Sequence, residues 1–262
     1  MLTLILTGAV AICGVMLLPW LIHFPLRNAA IVDAGWAGGL ALLGVLYAVM
    51  GAGWAPRRIA IAFMASVWCL RLALYLLFTR VIGHPEEGRY VQLRKQWRNN
   101  ISLKFLFFKF QTVLCIVLAV PFLLASQNPA PAFSIFEYVA VVLWVVTIAG
   151  EVTADMQLSA FKSNADNSGK TCRVGLWNYS RHPNYFFEWL IWVAFCLFAI
   201  DSKFGYLAFV PPALMLYFLF RVTGIPATEA QALRTRGEDC MRYQETTSAF
   251  VPWFPRNNRQ AN

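Results

Sequence analysis

Seven long apolar stretches dominate this chain: Leu2–His23, Ala30–Ala52, Ile59–Val81, Phe105–Ser126, Phe133–Leu158, Tyr185–Ile200 and Phe204–Val222. About 20 apolar residues cross the hydrocarbon core of a bilayer as a helix. Inside lipid the backbone must satisfy its own hydrogen bonds, and a continuous apolar pattern does this as an α-helix. The expected fold is all-α, a multi-pass membrane protein with seven transmembrane helices, forming one membrane-embedded domain over residues 1–262. With 59% apolar and only 13% charged residues, no stretch is left for a sizeable soluble domain. Only Asp201-Ser202-Lys203 separates the sixth and seventh stretches. The first stretch has no Lys or Arg before it and no small-residue cleavage motif, so it is expected to remain as a helix rather than be removed as a signal peptide.

Basic residues set the expected orientation. Arg89, Arg94, Lys95, Arg98 and Lys104 follow the third stretch, and Lys162, Lys170, Arg173 and Arg181 follow the fifth. Arg234, Arg236, Arg242, Arg256 and Arg259 occupy the tail. The positive-inside rule makes all three regions cytoplasmic, which with seven spans puts the N-terminus outside and the C-terminus in the cytoplasm. In a bacterium this is an integral protein of the inner (cytoplasmic) membrane. Arg57 and Arg58 fall on the opposite side and count against that orientation. The formal charge of +9 thus reads as topology and anionic-lipid contact rather than nucleic-acid binding. The six cysteines form no CxxC pair, and none of the three histidines has a His or Cys partner at ligand spacing, so neither a disulfide framework nor a metal is expected. There is no Gly-rich dinucleotide fingerprint and no phosphate loop.

Chemistry concentrates in Gly175-Leu176-Trp177-Asn178-Tyr179-Ser180-Arg181-His182-Pro183-Asn184-Tyr185-Phe186-Phe187-Glu188. Pro183 suits the first helical position, where free amides face an anionic ligand, and Asn184 and Glu188 then share a face one turn apart. A capped helix with interfacial Arg and Tyr anchors is the plainer alternative. Ionisable residues inside apolar stretches are costly and point to function. Asp33 stands beside Gly35, Gly38 and Gly39, which could equally serve close helix packing. Trp68, Arg71 and Tyr75 share one helix face, as do Glu151, Asp155 and Lys162. These could be a snorkelling stripe and a self-neutralising ladder. The tail, with Glu229, Arg234 and Arg242-Tyr243, could be an amphipathic helix lying on the membrane. Together, Lys162, Arg173, Arg181 and the helix start at Pro183 suggest a phosphate-capable basin, with Asp33, Trp68, Arg71 and Tyr75 lining a membrane-depth cavity. That arrangement suits a charged cofactor entering from the cytoplasm and a hydrophobic small-molecule substrate held between the helices of a monomer.

The run from Glu151 to Pro252 resembles the C-terminal region of the steroid 5α-reductase family, whose bacterial branch shares the Trp177-Asn178-Tyr179-Ser180-Arg181-His182-Pro183-Asn184-Tyr185-Phe186-x-Glu188 pattern. The family-like region covers about 133–255. The first half matches through Arg71-x-x-x-Tyr75, Arg80 and the Arg89-Tyr90 pair. The resemblance implies NADPH-dependent reduction of a carbon–carbon double bond conjugated to a ketone in a steroid-like lipid. It assigns Asp155, Lys162, Arg173, Asn184 and Glu188 to the dinucleotide, with Tyr179, Arg181, His182 and Glu229 in the same segment. Arg71, Arg80 and Tyr75 would lie near the nicotinamide and phosphate portion. The animal enzymes' Gln-Glu pair in span two has no clear counterpart here, so Asp33 is the expected replacement as donor to the enolate oxygen, a role that needs its carboxyl protonated. Trp68 aligns with the tyrosine that assists that glutamate and lacks a phenolic proton. Hydride would go to the β-carbon and a proton to the α-carbon. The Arg181-His182-Pro183-x-Tyr185 motif followed by Glu229 is also shared with isoprenylcysteine carboxyl methyltransferases, which bind S-adenosylmethionine. A non-catalytic lipid-binding or transport protein is a third class, though neither inverted repeats nor paired broken helices are visible.

Overall fold

The structure, a computed structural model, describes residues 1–86, 88–98, 100–222 and 224–256; the side chain of Arg89 and all of Arg259 lie outside the described residues. The chain is 78% helix with no strand among the described residues. Among the described residues, six helical segments are long and apolar enough to cross a membrane: Leu2–Leu26, Ile31–Met50, Ala55–Val81, Ile101–Ser126, Ile135–Ser163 and Gly205–Arg236. A further apolar helix, Pro183–Ala199, is shorter. The chain divides into two compact units, one of Met1–Glu137 with Phe198–Val210, the other of Tyr138–Leu197 with Pro211–Asn262.

In the first unit, the N-terminal segment breaks at Met16 into α1 (Leu2–Val15) and α2 (Leu17–Leu26). Pro19 falls in the first turn of α2, where a missing N–H is harmless. Helix α3 (Ile31–Met50) packs against this pair through glycines. A Cβ on Gly35 would meet Pro19 Cγ at 2.4 Å, and one on Gly39 would meet Ile12 Cδ1 at 2.2 Å. Two of the three glycines near Asp33 therefore do serve close packing, whereas nothing lies within 4 Å of a Cβ on Gly38. Helix α4 (Ala55–Leu76) returns beside α3, touching it where a Cβ on Gly44 would lie 2.7 Å from Ala65 Cβ. It ends in a π-helical turn, Leu77–Val81. Such turns are often found at functional sites.

After α5 (Gly88–Gln96), Asn100 caps α6 (Ile101–Leu118) by accepting from the amides of Ser102 at 2.9 Å and Leu103 at 3.3 Å. Pro121 lies in the first turn of α7 (Val120–Ser126). The start of α8 (Ile135–Ser163) supplies Glu137, which pairs with Arg57. Arg57 is 1% exposed and also donates to the carbonyls of Asn128 (3.0 Å), Ala130 (2.7 Å) and Ala132 (2.6 Å). Its charge is neutralised within the fold.

The second unit holds the rest of α8 and α9 (Pro183–Ala199), which begins at Pro183 as its sequence position predicts. A Cβ on Gly150 would overlap the Phe187 ring at 2.4 Å, so this glycine admits α9 against α8. Helix α10 (Val210–Tyr217) runs into a second π-helical turn, Phe218–Val222, followed by α11 (Ile225–Arg236) and α12 (Glu238–Thr246). Leu219, Ile225 and Phe250 form a core with Tyr185, Phe186, Trp189 and Leu216 around it. The tail is therefore packed into this unit, and is more than an amphipathic helix resting on a surface.

Candidate functional site

The residues singled out from the sequence fall into two groups, one in each unit. In the second unit the segment before α9 is fastened to the tail by its backbone. Ser180 makes an isolated parallel bridge with Ser248, the Arg181 amide donates to the Ser248 carbonyl at 2.8 Å, and the Ser180 hydroxyl donates to the Phe250 carbonyl at 2.7 Å. Buried Tyr243 donates to the carbonyls of Trp177 and, at 3.1 Å, Ser180. Burial pushes the Tyr243 phenol up, so it is a hydrogen-bond donor at any working pH.

On this frame three groups converge on the carboxylate of Glu229. Arg181 Nε lies 2.9 Å and His182 Nε2 3.3 Å from Glu229 Oε1, and the Gln244 amide donates to Oε2 at 3.3 Å. Arg181 Nη1 also donates to the Gln244 carbonyl at 2.7 Å, and the His182 ring stacks on Tyr185 at 5.3 Å. The Arg-His pair and an acid 47 residues further on thus form one knot. Gln244, its fourth member, carries no local sequence signal.

At the second residue of α9, Asn184 Nδ2 donates to Asp155 Oδ1 of α8 at 3.4 Å. Asp155 is buried, as is Glu151 one turn earlier, while Glu188 is half-buried one turn beyond Asn184. Asn184 thus links the start of α9 to Asp155 of α8. Lys162 stands exposed at the end of α8. Arg173 is drawn to α12, where Asp239 takes its Nη2 at 3.0 Å and the Thr171 amide at 2.7 Å. Burial opposes ionisation of Asp239, but hydrogen bonds from Thr171 and the charges of Arg173 and Arg236 outweigh it and hold the carboxyl below the usual range. Tyr179 is 39% exposed, set edge-on to Phe254, and its carbonyl accepts from the Trp253 amide at 2.9 Å.

In the first unit, Asp33 is buried near the start of α3. Its Oδ1 accepts from the Tyr90 hydroxyl at 2.7 Å, and its Oδ2 lies 3.8 Å from Arg80 Nη1. Arg80 sits in the π-helical turn, where its carbonyl accepts from Asn28 at 3.1 Å. Asp33 is therefore an acceptor held between a hydroxyl and a guanidinium. Tyr90 is the polar group that residue-by-residue reading passed over, and its only signal was the Arg89-Tyr90 pair. Beside it, His23, Glu86, Arg94 and Lys104 border a cavity of about 20 Å³, which is room for about one water. Glu86 accepts from Arg94 at 2.6 Å and from the Ala29 amide at 2.9 Å. Trp68 is fully buried on α4, with Arg71 and Tyr75 half-buried along the same helix.

A family described as "Protein of unknown function (DUF1295)" matches residues 19–247. The chain belongs to this family. It includes steroid 5α-reductase-like proteins. The chain is also 28% identical over 213 residues to "Uncharacterized protein C594.04c" of Schizosaccharomyces pombe, an alignment covering 70% of this chain. The chain spans 61% of that relative's length. No solved structure matches it.

Proposed function

We propose that the protein is a seven-span membrane oxidoreductase, N-terminus outside, that uses NADPH to reduce the conjugated double bond of an enone in a steroid-like lipid. One observation supports this: the Asn184–Asp155 hydrogen bond, which joins the start of α9 to one of two buried carboxylates on α8, ahead of Lys162 at the end of that helix and Lys170 and Arg173 in the loop beyond. Carboxylates suit ribose hydroxyls and cations suit phosphates, and a dinucleotide phosphate presents both. The groups fit, because Lys162 and Lys170 stand exposed even though Arg173 is engaged by Asp239. Asp155, Asn184 and Glu188 would hold the ribose side, and Lys162, Lys170 and Arg173 the phosphates.

When bound, NADPH supplies a hydride for the β-carbon of the enone. The chain's own contribution is a hydrogen bond and a proton. In the free protein the single O–H of Tyr90 is taken by Asp33, with Arg80 beside that carboxylate; on substrate binding it would turn from Asp33 to the carbonyl oxygen gaining negative charge. Tyr90 thus takes the donor role first given to Asp33, which becomes its orienting partner. Trp68 and Tyr75 would wall the substrate side and keep water out.

The test is thermal unfolding of the detergent-solubilised protein with NADPH, NADH or S-adenosylmethionine. A ligand at 100 times its Kd stabilises the native state by about 2.7 kcal/mol. NADPH should raise the transition most and NADH less, for want of the 2′-phosphate. Stabilisation by S-adenosylmethionine alone would favour the second reading, a methyltransferase, for which the convergence of Arg181 and His182 on Glu229 is the specific support.

A further inference from the structure

Beside the seam of α3 and α4 runs an open groove of about 610 Å³, within the size range of ligand sites. Its walls are Val45, Val49, Ile59 and Phe63, and its floor includes the small side chains of Ala62 and Ser66. Arg58, at the start of α4, also lines it. We propose that this groove binds one anionic phospholipid, with an acyl chain along the seam and the phosphate against Arg58.

The occupant follows from where the groove lies and what it offers. Both helices are of membrane-spanning length and composition, and the walls face outward, with Val49 72%, Ile59 69% and Phe63 61% exposed. In a bilayer, acyl chains are what such walls meet. Phe63 and Ser66 are five and eight residues past Arg58, roughly 8–12 Å deeper along a helix rising 1.5 Å per residue. A cation at headgroup depth over an apolar trough is the shape of a phospholipid.

Arg58 adds selectivity. Its Nη1 donates to the carbonyls of Ala48 at 3.0 Å and Gly51 at 2.7 Å, which fixes the plane of the guanidinium. Among the described residues, Nε and Nη2 have no hydrogen-bond partner, and Nε is buried. No carboxylate pairs with Arg58 among those residues, whereas the neighbouring Arg57 is neutralised by Glu137. A phosphate oxygen reaching Nη2 from the groove would take up that donor beside the carbonyls already held by Nη1. A role limited to capping the last carbonyls of α3 accounts for Nη1 and leaves the other edge and the groove without a use.

The experiment is native mass spectrometry of the delipidated protein, titrated with phosphatidylglycerol or phosphatidylcholine of the same acyl chains. In the unmodified protein the first lipid bound should favour phosphatidylglycerol by about tenfold. Arg58→Gln should bring the two lipids to parity. Ala62→Trp fills the trough while keeping the Arg58 charge and should abolish the tight first event for both lipids while leaving the unfolding temperature of lipid-free protein unchanged. Arg58→Lys, which keeps the charge but not the fork, should retain part of the preference, and it serves if Arg58→Gln does not fold. Equal affinity for the two lipids in the unmodified protein, or an undiminished preference in Arg58→Gln or Ala62→Trp, overturns the proposal.

Discussion

Replacing Glu229 with glutamine tests whether the knot before α9 is structural. Arg181 and Glu229 side chains are 14% and 22% exposed, and His182 is 6% exposed. Breaking a fully buried pair from one side costs about 3–5 kcal/mol, because the surviving charge is stranded. An exposed pair contributes only about 0–1 kcal/mol. With roughly a fifth of its surface in contact with solvent, Glu229 belongs nearer the buried limit. The glutamine oxygen keeps one acceptor, but its amide hydrogens would face donors from His182 or Gln244. Glu229→Gln should therefore destabilise the protein by about 2–4 kcal/mol. Denaturant unfolding in mixed micelles, extrapolated to zero denaturant, measures this, and a double-mutant cycle with Arg181→Gln isolates the pair. A loss below about 0.5 kcal/mol, or a coupling energy indistinguishable from zero, would refute the view that this carboxylate holds the segment in place.

Asn184→Ala and Glu188→Gln should each weaken NADPH binding with little change in unfolding temperature; unchanged affinity in both, by fluorescence titration, removes them from the cofactor site. Tyr90→Phe should lower turnover of a 3-keto-Δ4 steroid far more than NADPH affinity, by about 2.7–4 kcal/mol in activation free energy if Tyr90 is the donor, and loss of enone absorbance reports it. Asp33→Leu should fall in the same direction, and near-normal turnover in both variants would place the donor elsewhere. Because the Asp239 carboxyl is held below its usual range, its stabilising effect is present above the ordinary Asp pKa and is lost as pH falls through the lower folded value. Unfolding midpoints followed from about pH 6 to about pH 3 should drop less steeply in Asp239→Asn, and equal slopes would count against it.

The helices were legible in the sequence because each is a continuous apolar run, and the start of α9 was legible because Pro183 marks it locally. The breaks were missed. Met16 and Ala119 each stand shortly before a proline, Pro19 and Pro121, which removes a hydrogen bond from the turn before it, a signal that reading for apolar length alone passes over. Arg57 looked like a loop cation because its partner, Glu137, lies 80 residues away. At the candidate site, Asn184 and Asp155 were readable from helical spacing and the family pattern. Arg173 was read as part of a basin with Arg181, but α12 places Asp239 beside it, and the sequence around Arg173 does not reveal that neighbour. Tyr90 was missed for a similar reason, since nothing in α5 signals the Asp33 carboxylate on α3.

The Arg57–Glu137 pair also bears on how the chain is made. Translation at about 5–20 residues per second leaves Arg57 without its carboxylate for roughly 4–16 s after it emerges. A lone guanidinium resists the apolar layer, so the α3–α4 hairpin should wait in a shallow, incompletely seated position until the first turn of α8 arrives. Its final insertion is then timed by a residue it does not yet contain, and a ribosome stalled between the two positions should leave Trp54 and Arg57 open to water-soluble labelling reagents.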